Sequence, residues 1–135
     1  LRVTDEKTIK VVEDALSELN SEIIEKLINC GCKVQPITVK KNNIIEVVPE
    51  QKDLGFVGNP KKIKKEILLE IIKKKEVHVI MPMGIGENKK PYNINADITA
   101  GAIAKSLSSR RLLLMTDVEG VLDENKKLIS TPPFY

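Results

Sequence analysis

The chain has 135 residues, a formal net charge of +3 and 41% apolar residues, enough for one domain with its own core. No apolar run approaches the roughly 20 residues of a membrane-spanning helix, so the composition reads as soluble and cytoplasmic, with no membrane partner. The lysines sit among acids, as in Lys61-Lys62-Ile63-Lys64-Lys65-Glu66, with no interleaved aromatics, which reads as a solvated face and argues against nucleic acid as a partner.

The chain opens at Leu1 without an initiator methionine and closes on Thr131-Pro132-Pro133-Phe134-Tyr135, a tail-like sequence. Both ends predict a piece of a longer polypeptide. Thr4 is the expected N-cap of a first helix, with Asp5 and Glu6 in its first turn and Ile9, Val12 and Leu16 at helical spacing to about Leu19. Ser21 is expected to cap a second helix, with Ile24, Leu27 and Ile28 on one face and Gly31 as its stop. Cys30 and Cys32 flank that glycine; a lone pair at this spacing reads as reduced thiols at a helix-to-strand junction, not as a zinc site or a disulfide framework.

Residues 34–39 read as a strand, residues 40–43 as a turn, and residues 44–48 as the return strand of a hairpin. Asp53-Leu54-Gly55-Phe56-Val57-Gly58 reads as a short extended piece. Asn59-Pro60 supplies a cap and a first-turn proline for a helix over 60–74, with Ile63, Ile67, Leu68, Ile71 and Ile72 as its apolar stripe. Residues 77–81 read as a buried strand. His78, the single histidine, lies inside it and reads as a core or strand-face residue, since no Ser or Cys nucleophile motif accompanies it. A glycine-bearing loop follows (Pro82-Met83-Gly84-Ile85-Gly86), then a polar turn, then Tyr92-Asn93-Ile94-Asn95-Ala96-Asp97, a small-residue helix over 96–107, and a strand over 112–115.

This order predicts an α/β fold: a three-layer sandwich with a mostly parallel central sheet and a β-hairpin excursion over one edge. Ligands in such folds lie beyond the carboxyl ends of the strands. Three loops are therefore expected on one rim, over 83–86, 93–97 and 116–120.

The segment from Tyr92 to Asp97 is the most informative. Asn95 and Asp97 alone suit an N-cap and a dipole-compensating acid. Asn93 precedes the cap, and alternation along an extended approach points its side chain the same way as that of Asn95, toward a helix N-terminus that favours an anion. Gly84-Ile85-Gly86 suits close backbone approach to a phosphate, though Gly-x-Gly is common in turns and no helix opens directly after it. Thr116-Asp117-Val118-Glu119-Gly120-Val121 could hold a nucleotide or simply make an Asx turn. Arg2, beside a capped helix, is by default a surface cation.

Five motifs change that default. Leu1-Arg2-Val3-Thr4-Asp5, Asp53-Leu54-Gly55-Phe56-Val57-Gly58, Pro82-Met83-Gly84-Ile85-Gly86, Tyr92-Asn93-Ile94-Asn95-Ala96-Asp97 and Thr116-Asp117-Val118-Glu119-Gly120-Val121-Leu122-Asp123 resemble, in order and approximate spacing, the acetylglutamate kinases, the arginine-biosynthesis branch of the amino acid kinase family. The resemblance runs from Leu1 to about Ser130. The Asn-Ile-Asn-Ala-Asp and Leu-Arg-Val-Thr blocks set this branch apart from aspartokinase, glutamate 5-kinase, carbamate kinase and uridylate kinase.

The resemblance implies transfer of the ATP γ-phosphoryl group, with Mg²⁺ carried by the nucleotide, to the side-chain carboxylate of N-acetyl-L-glutamate. Matched position by position, it implies that Arg2 grips the substrate α-carboxylate, that Asn93 holds the same end of the ligand, and that Asp97 is the organising carboxylate of catalysis. Thr116, Asp117, Val118, Glu119, Gly120, Val121 and Leu122 match the stretch lining the nucleotide site. Residues to about 100 then form the substrate region of a partial kinase domain, and about 101–130 the start of its nucleotide region. The family's glycine-rich loops and its two catalytic lysines match nothing in this chain, which implies little activity from these 135 residues alone. Family members associate, which implies a homo-oligomer, with the helix over 60–74 one candidate interface. Alternatives are a catalytically inactive ligand-binding or subunit-interaction module, and a related kinase acting on another carboxylate.

Overall fold

The computed structural model describes residues 3–50, 52–115, 120, 122–125 and 127–129. Three helices and six strands are named here in chain order: α1 Glu6–Asn29, β1 Val34–Ile37, β2 Ile45–Pro49, β3 Gly58–Ile63, α2 Lys65–Lys73, β4 Val77–Ile80, β5 Met83–Gly86, β6 Pro91–Asn93 and α3 Ala96–Ser106.

The two helices expected between Thr4 and Gly31 are one. Ser21 does not cap, because its Oγ donates to the Ser17 carbonyl one turn back (2.9 Å) and the helix runs through. At the start, Thr4 is held on both sides by backbone bonds to Leu54 O (3.0 Å) and Phe56 N (2.7 Å), so the cap falls to Asp5, whose Oδ1 accepts from Thr8 N at 2.7 Å. That bond to the Thr8 backbone N–H is the first cause holding the Asp5 carboxyl below its ordinary range. The stop is where glycine placed it. Gly31 has φ +82, Gly31 N donates to Ile28 O and Cys32 N to Leu27 O, the two bonds of a Schellman motif. Cys30 and Cys32 are free thiols at this junction.

Strand pairing follows long-range partners rather than sequence neighbours. β1 does not form a hairpin with β2; it pairs in parallel with β4, Val34 opposite Val77 through Ile37 opposite Ile80. β2 belongs to a second sheet of order β3-β2-β5-β6, antiparallel to β3 and parallel to β5, with β5 antiparallel to β6. The fold class is α/β as expected, but the described pairing is mixed rather than mostly parallel, and the hairpin excursion is β2–β3. Asn59-Pro60 starts no helix: both lie in β3, at the sheet edge, where a residue without an N–H is tolerated. α2 starts at Lys65, after Lys64, with no side-chain cap. The expected loop at 83–86 is β5. Between Met81 and Met83 the chain steps from one sheet to the other through Pro82.

Helices cover both faces. Ile80 packs against the cluster that holds Leu68 and Ile71 of α2, while Met81 belongs with Ile9 of α1 to the other cluster, consistent with the period-two alternation of an extended chain. His78 is a strand-face residue as expected, with Nε2 at 3.2 Å from the Leu68 carbonyl. The larger cluster centres on Ile37, Ile44, Ile45, Val47, Leu68, Tyr92 and Ile94; Phe56 packs against both clusters. No described helix is long and apolar enough to cross a membrane.

Residues 112–115 have the composition of a strand but are not assigned to one, and all four are exposed.

Candidate functional site

Three chain segments meet at Phe56. Its N–H donates to Thr4 O (2.7 Å) and its carbonyl accepts from Asn93 N (2.8 Å), with isolated parallel bridges between Thr4 and Gly55 and between Val57 and Asn93. Residues distant in sequence are thereby stitched side by side, and they border an open cavity of about 400 Å³ lined by Val3, Thr4, Thr8, Val12, Val57, Asn93 and Asn95. Gly55 makes the approach possible: its φ is +65, and a Cβ there would run into the Thr4 carbonyl oxygen.

Asn95 caps α3, its Oδ1 accepting from Asp97 N (2.9 Å) and Ile98 N (3.1 Å). The cap uses only the oxygen of this amide. Its NH₂ half is not part of the cap, and the residue lines the cavity together with Asn93. The shared direction expected of the two amides is what the structure has. The lining comprises four polar residues, Thr4, Thr8, Asn93 and Asn95, and three valines, Val3, Val12 and Val57. Such a lining suits a small ligand with hydrogen-bonding ends and a short apolar stretch.

Asp97 sits exposed in the first turn of α3 and is not among the cavity-lining residues. Arg2 lies outside the described residues, immediately before the lining residue Val3. Thr116, Asp117, Val118, Glu119 and Val121 also lie outside them. Gly120 and Leu122 are described: Leu122 bridges to Leu128, and a Cβ on Gly120 would sit 2.9 Å from the Leu128 side chain. Asp123 Oδ1 closes that turn by accepting from Asn125 N and Lys127 N, both at 2.8 Å.

Gly84 is explained by packing. A Cβ there would meet the Val47 side chain and, on β2, the Ile45 carbonyl. Strand–strand contact therefore fills the space that a phosphate-binding reading would need. Asn95 is read in the sequence as a cap that points the same way as Asn93, whereas Thr8 and Val12 are not singled out there as site residues. Their signal was present in the four-residue spacing of Thr8 and Val12 along α1, but only a known cavity on that face gives it meaning.

The family model for the "Amino acid kinase family" matches residues 1–133. The chain belongs to the amino acid kinase family. Among its relatives, the acetylglutamate kinase of Pelagibacter ubique (strain HTCC1062) is 58% identical over 129 residues, covering 96% of this chain and 45% of that protein. The acetylglutamate kinase of Petrotoga mobilis (strain DSM 10674 / SJ95) is 43% identical over 130 residues, covering 94% and 43%. The chain thus spans about half the length of the curated relatives it matches. Among solved structures, smu.665 from Streptococcus mutans UA159 superposes with a TM-score of 0.85 at 31% identity, covering 92% of this chain and 51% of that one. An N-acetylglutamate synthase from Neisseria gonorrhoeae, complexed with coenzyme A and N-acetyl-glutamate, shares the fold at a TM-score of 0.77 and 19% identity, over 95% of this chain and 30% of that one.

Proposed function

We propose that this chain supplies the substrate side of an acetylglutamate kinase, which moves the γ-phosphoryl group of ATP to the side-chain carboxylate of N-acetyl-L-glutamate in arginine biosynthesis. The single observation that carries this reading is the cavity lined both by Val3 and Thr4 of the Leu-Arg-Val-Thr motif and by Asn93 and Asn95 of the Asn-Ile-Asn-Ala-Asp motif. In this reading Arg2 forks the α-carboxylate with its planar guanidinium, Asn93 holds the same end of the ligand, and the valines receive the acetyl methyl and the methylenes. Asp97 orients the cationic groups of catalysis. Thr116 through Leu122 begin the nucleotide site. The protein works in the cytoplasm as a homo-oligomer.

The chemistry asks little of a base. A carboxylate acceptor is already ionised at neutral pH, and phosphoryl transfer depends on in-line positioning and on positive charge around the transferred group. Mg²⁺ carried by the nucleotide neutralises charge on its phosphates when bound. Among the described residues, none that lines the cavity is cationic, and in this reading the positive charge required at the transferred group comes from elsewhere in the complete protein.

The test is a hydroxamate assay for acyl phosphate with N-acetylglutamate, glutamate and aspartate as acceptors, run on the protein encoded by the complete reading frame. N-acetylglutamate is the expected acceptor. Asp97→Asn should lower kcat on the order of 100-fold with the fold intact, the usual scale for losing a preorganised electrostatic group. Preference for a free amino acid would overturn the substrate assignment, and full turnover by Asp97→Asn would remove that residue from catalysis.

A further inference from the structure

Lys90, in the turn between β5 and β6, donates from Nζ to Glu6 Oε1 in the first turn of α1 at 2.6 Å, across 84 residues of sequence. The same nitrogen stands 5.3 Å from the centre of the Phe56 ring, within cation–π range. Phe56 is the joint of the cavity wall. Its backbone bonds Thr4 on one side and Asn93 on the other, and its ring packs on Tyr92 with centroids 5.6 Å apart.

We propose that Lys90 is a positioning residue for the cavity: by tying Glu6 to the Phe56 ring it holds the start of α1 against the Phe56–Asn93 bridge, and so fixes the separation of Thr4 and Thr8 from Asn93 and Asn95. The inference rests on the reading that this cavity takes an N-acylated dicarboxylic amino acid. The bond with Glu6 is mutual, raising the Lys90 ammonium above its ordinary range and lowering the Glu6 carboxyl below its own.

Exposed ion pairs often contribute nothing measurable, and this molecule contains its own control. Lys61 donates to Glu87 at the same 2.6 Å, with side chains about as exposed as those of Lys90 and Glu6. That pair joins β3 to the β5–β6 turn, and neither of those two segments supplies a lining residue. The two pairs differ in what they connect. Of these two lysines, it is Lys90 that reaches α1, which carries Thr8 and Val12.

The test compares Lys90→Met, Lys90→Arg and Lys61→Met in the protein encoded by the complete reading frame. Lys90→Met should raise KM for N-acetylglutamate about two- to fivefold, the scale of one exposed ion pair with a cation–π contact, while KM for ATP stays unchanged. Lys90→Arg should restore the original value, and Lys61→Met should leave both KM values alone. The gap between wild type and Lys90→Met should close at high salt, because screening removes the pair from the wild type as well. Amide hydrogen exchange at the Phe56 and Asn93 N–H groups gives a readout independent of turnover. Exchange should be faster in Lys90→Met and not in Lys61→Met. Unchanged exchange and KM in Lys90→Met, or equal changes in the two Met variants, would overturn the positioning role. Failure of the wild type to phosphorylate N-acetylglutamate, with the exchange difference intact, would overturn the substrate reading and leave the clamp standing.

Discussion

Around Phe56, polar residues are drawn inward and bonded; at residues 112–115, apolar residues are turned outward. Thr4 is only 4% exposed and is tied by backbone bonds to Leu54 and Phe56, whereas Leu113 is 82% exposed and Met115 96%. Composition would have predicted the reverse. The difference lies in partners. Thr4 has a bridge partner in Gly55, and Val57 has one in Asn93. Among the described strands β4 pairs only with β1, and a cavity of about 350 Å³ is lined by His78, Ile80 and Pro82 together with Leu112. Apolar sequence becomes a strand only where a ladder receives it.

The sharpest way to break that contrast is at Gly55. Alanine there meets a positive φ and the Thr4 carbonyl at once. We expect a loss on the order of 2–4 kcal/mol, combining backbone strain with a displaced contact, read by denaturant unfolding of the complete protein. A loss near zero would mean that the Thr4–Gly55 bridge does not organise the wall. Asn95→Ala should cost about 1 kcal/mol through the lost cap and also raise KM for N-acetylglutamate. Asn95→Asp separates the two contributions, keeping the capping oxygen while removing the amide NH₂. If Asn95→Asp retains both stability and KM, the residue is a cap and nothing more. The smallest effect belongs to the exposed run. In a polypeptide of these 135 residues, Met115→Gln should change stability by no more than about 0.5 kcal/mol, as at ordinary surface sites. A larger loss would show that the run is buried against a partner.

Local chemistry was readable where the structure uses local chemistry. Asn95 caps α3, Gly31 stops α1, and the apolar run over 77–81 contains a strand because cap, left-handed glycine and a short apolar run act within a few residues. The burial expected of that run is met only at Met81. Val77 is exposed and His78, Val79 and Ile80 are half-buried, in a strand that pairs, among the described strands, with β1 alone. What failed was partner choice. The turn-like residues 40–43 suggested a hairpin between β1 and β2, yet β1 finds β4 some forty residues on and β2 finds β3 and β5. Asn59-Pro60 carries the signature of a helix start, and edge position in the sheet makes the same two residues acceptable in β3. The site was half legible. Alternation predicted that Asn93 and Asn95 share a direction, and both line the cavity. Val12 reads from the sequence only as a helix residue and Thr8 is not singled out, because the Phe56 bridge that brings α1 alongside β6 has no local signature.

Calorimetric titration of N-acetylglutamate into the complete wild-type protein and its Asn93→Ala variant, without nucleotide, tests the shared cavity most directly. Saturable one-to-one binding is expected in the wild type, weakened at least about tenfold by Asn93→Ala, the loss expected for a hydrogen bond to a charged group. Equal affinity in the two proteins, with both still folded, would contradict the convergence of the Thr4 segment and the Asn93 segment on one ligand.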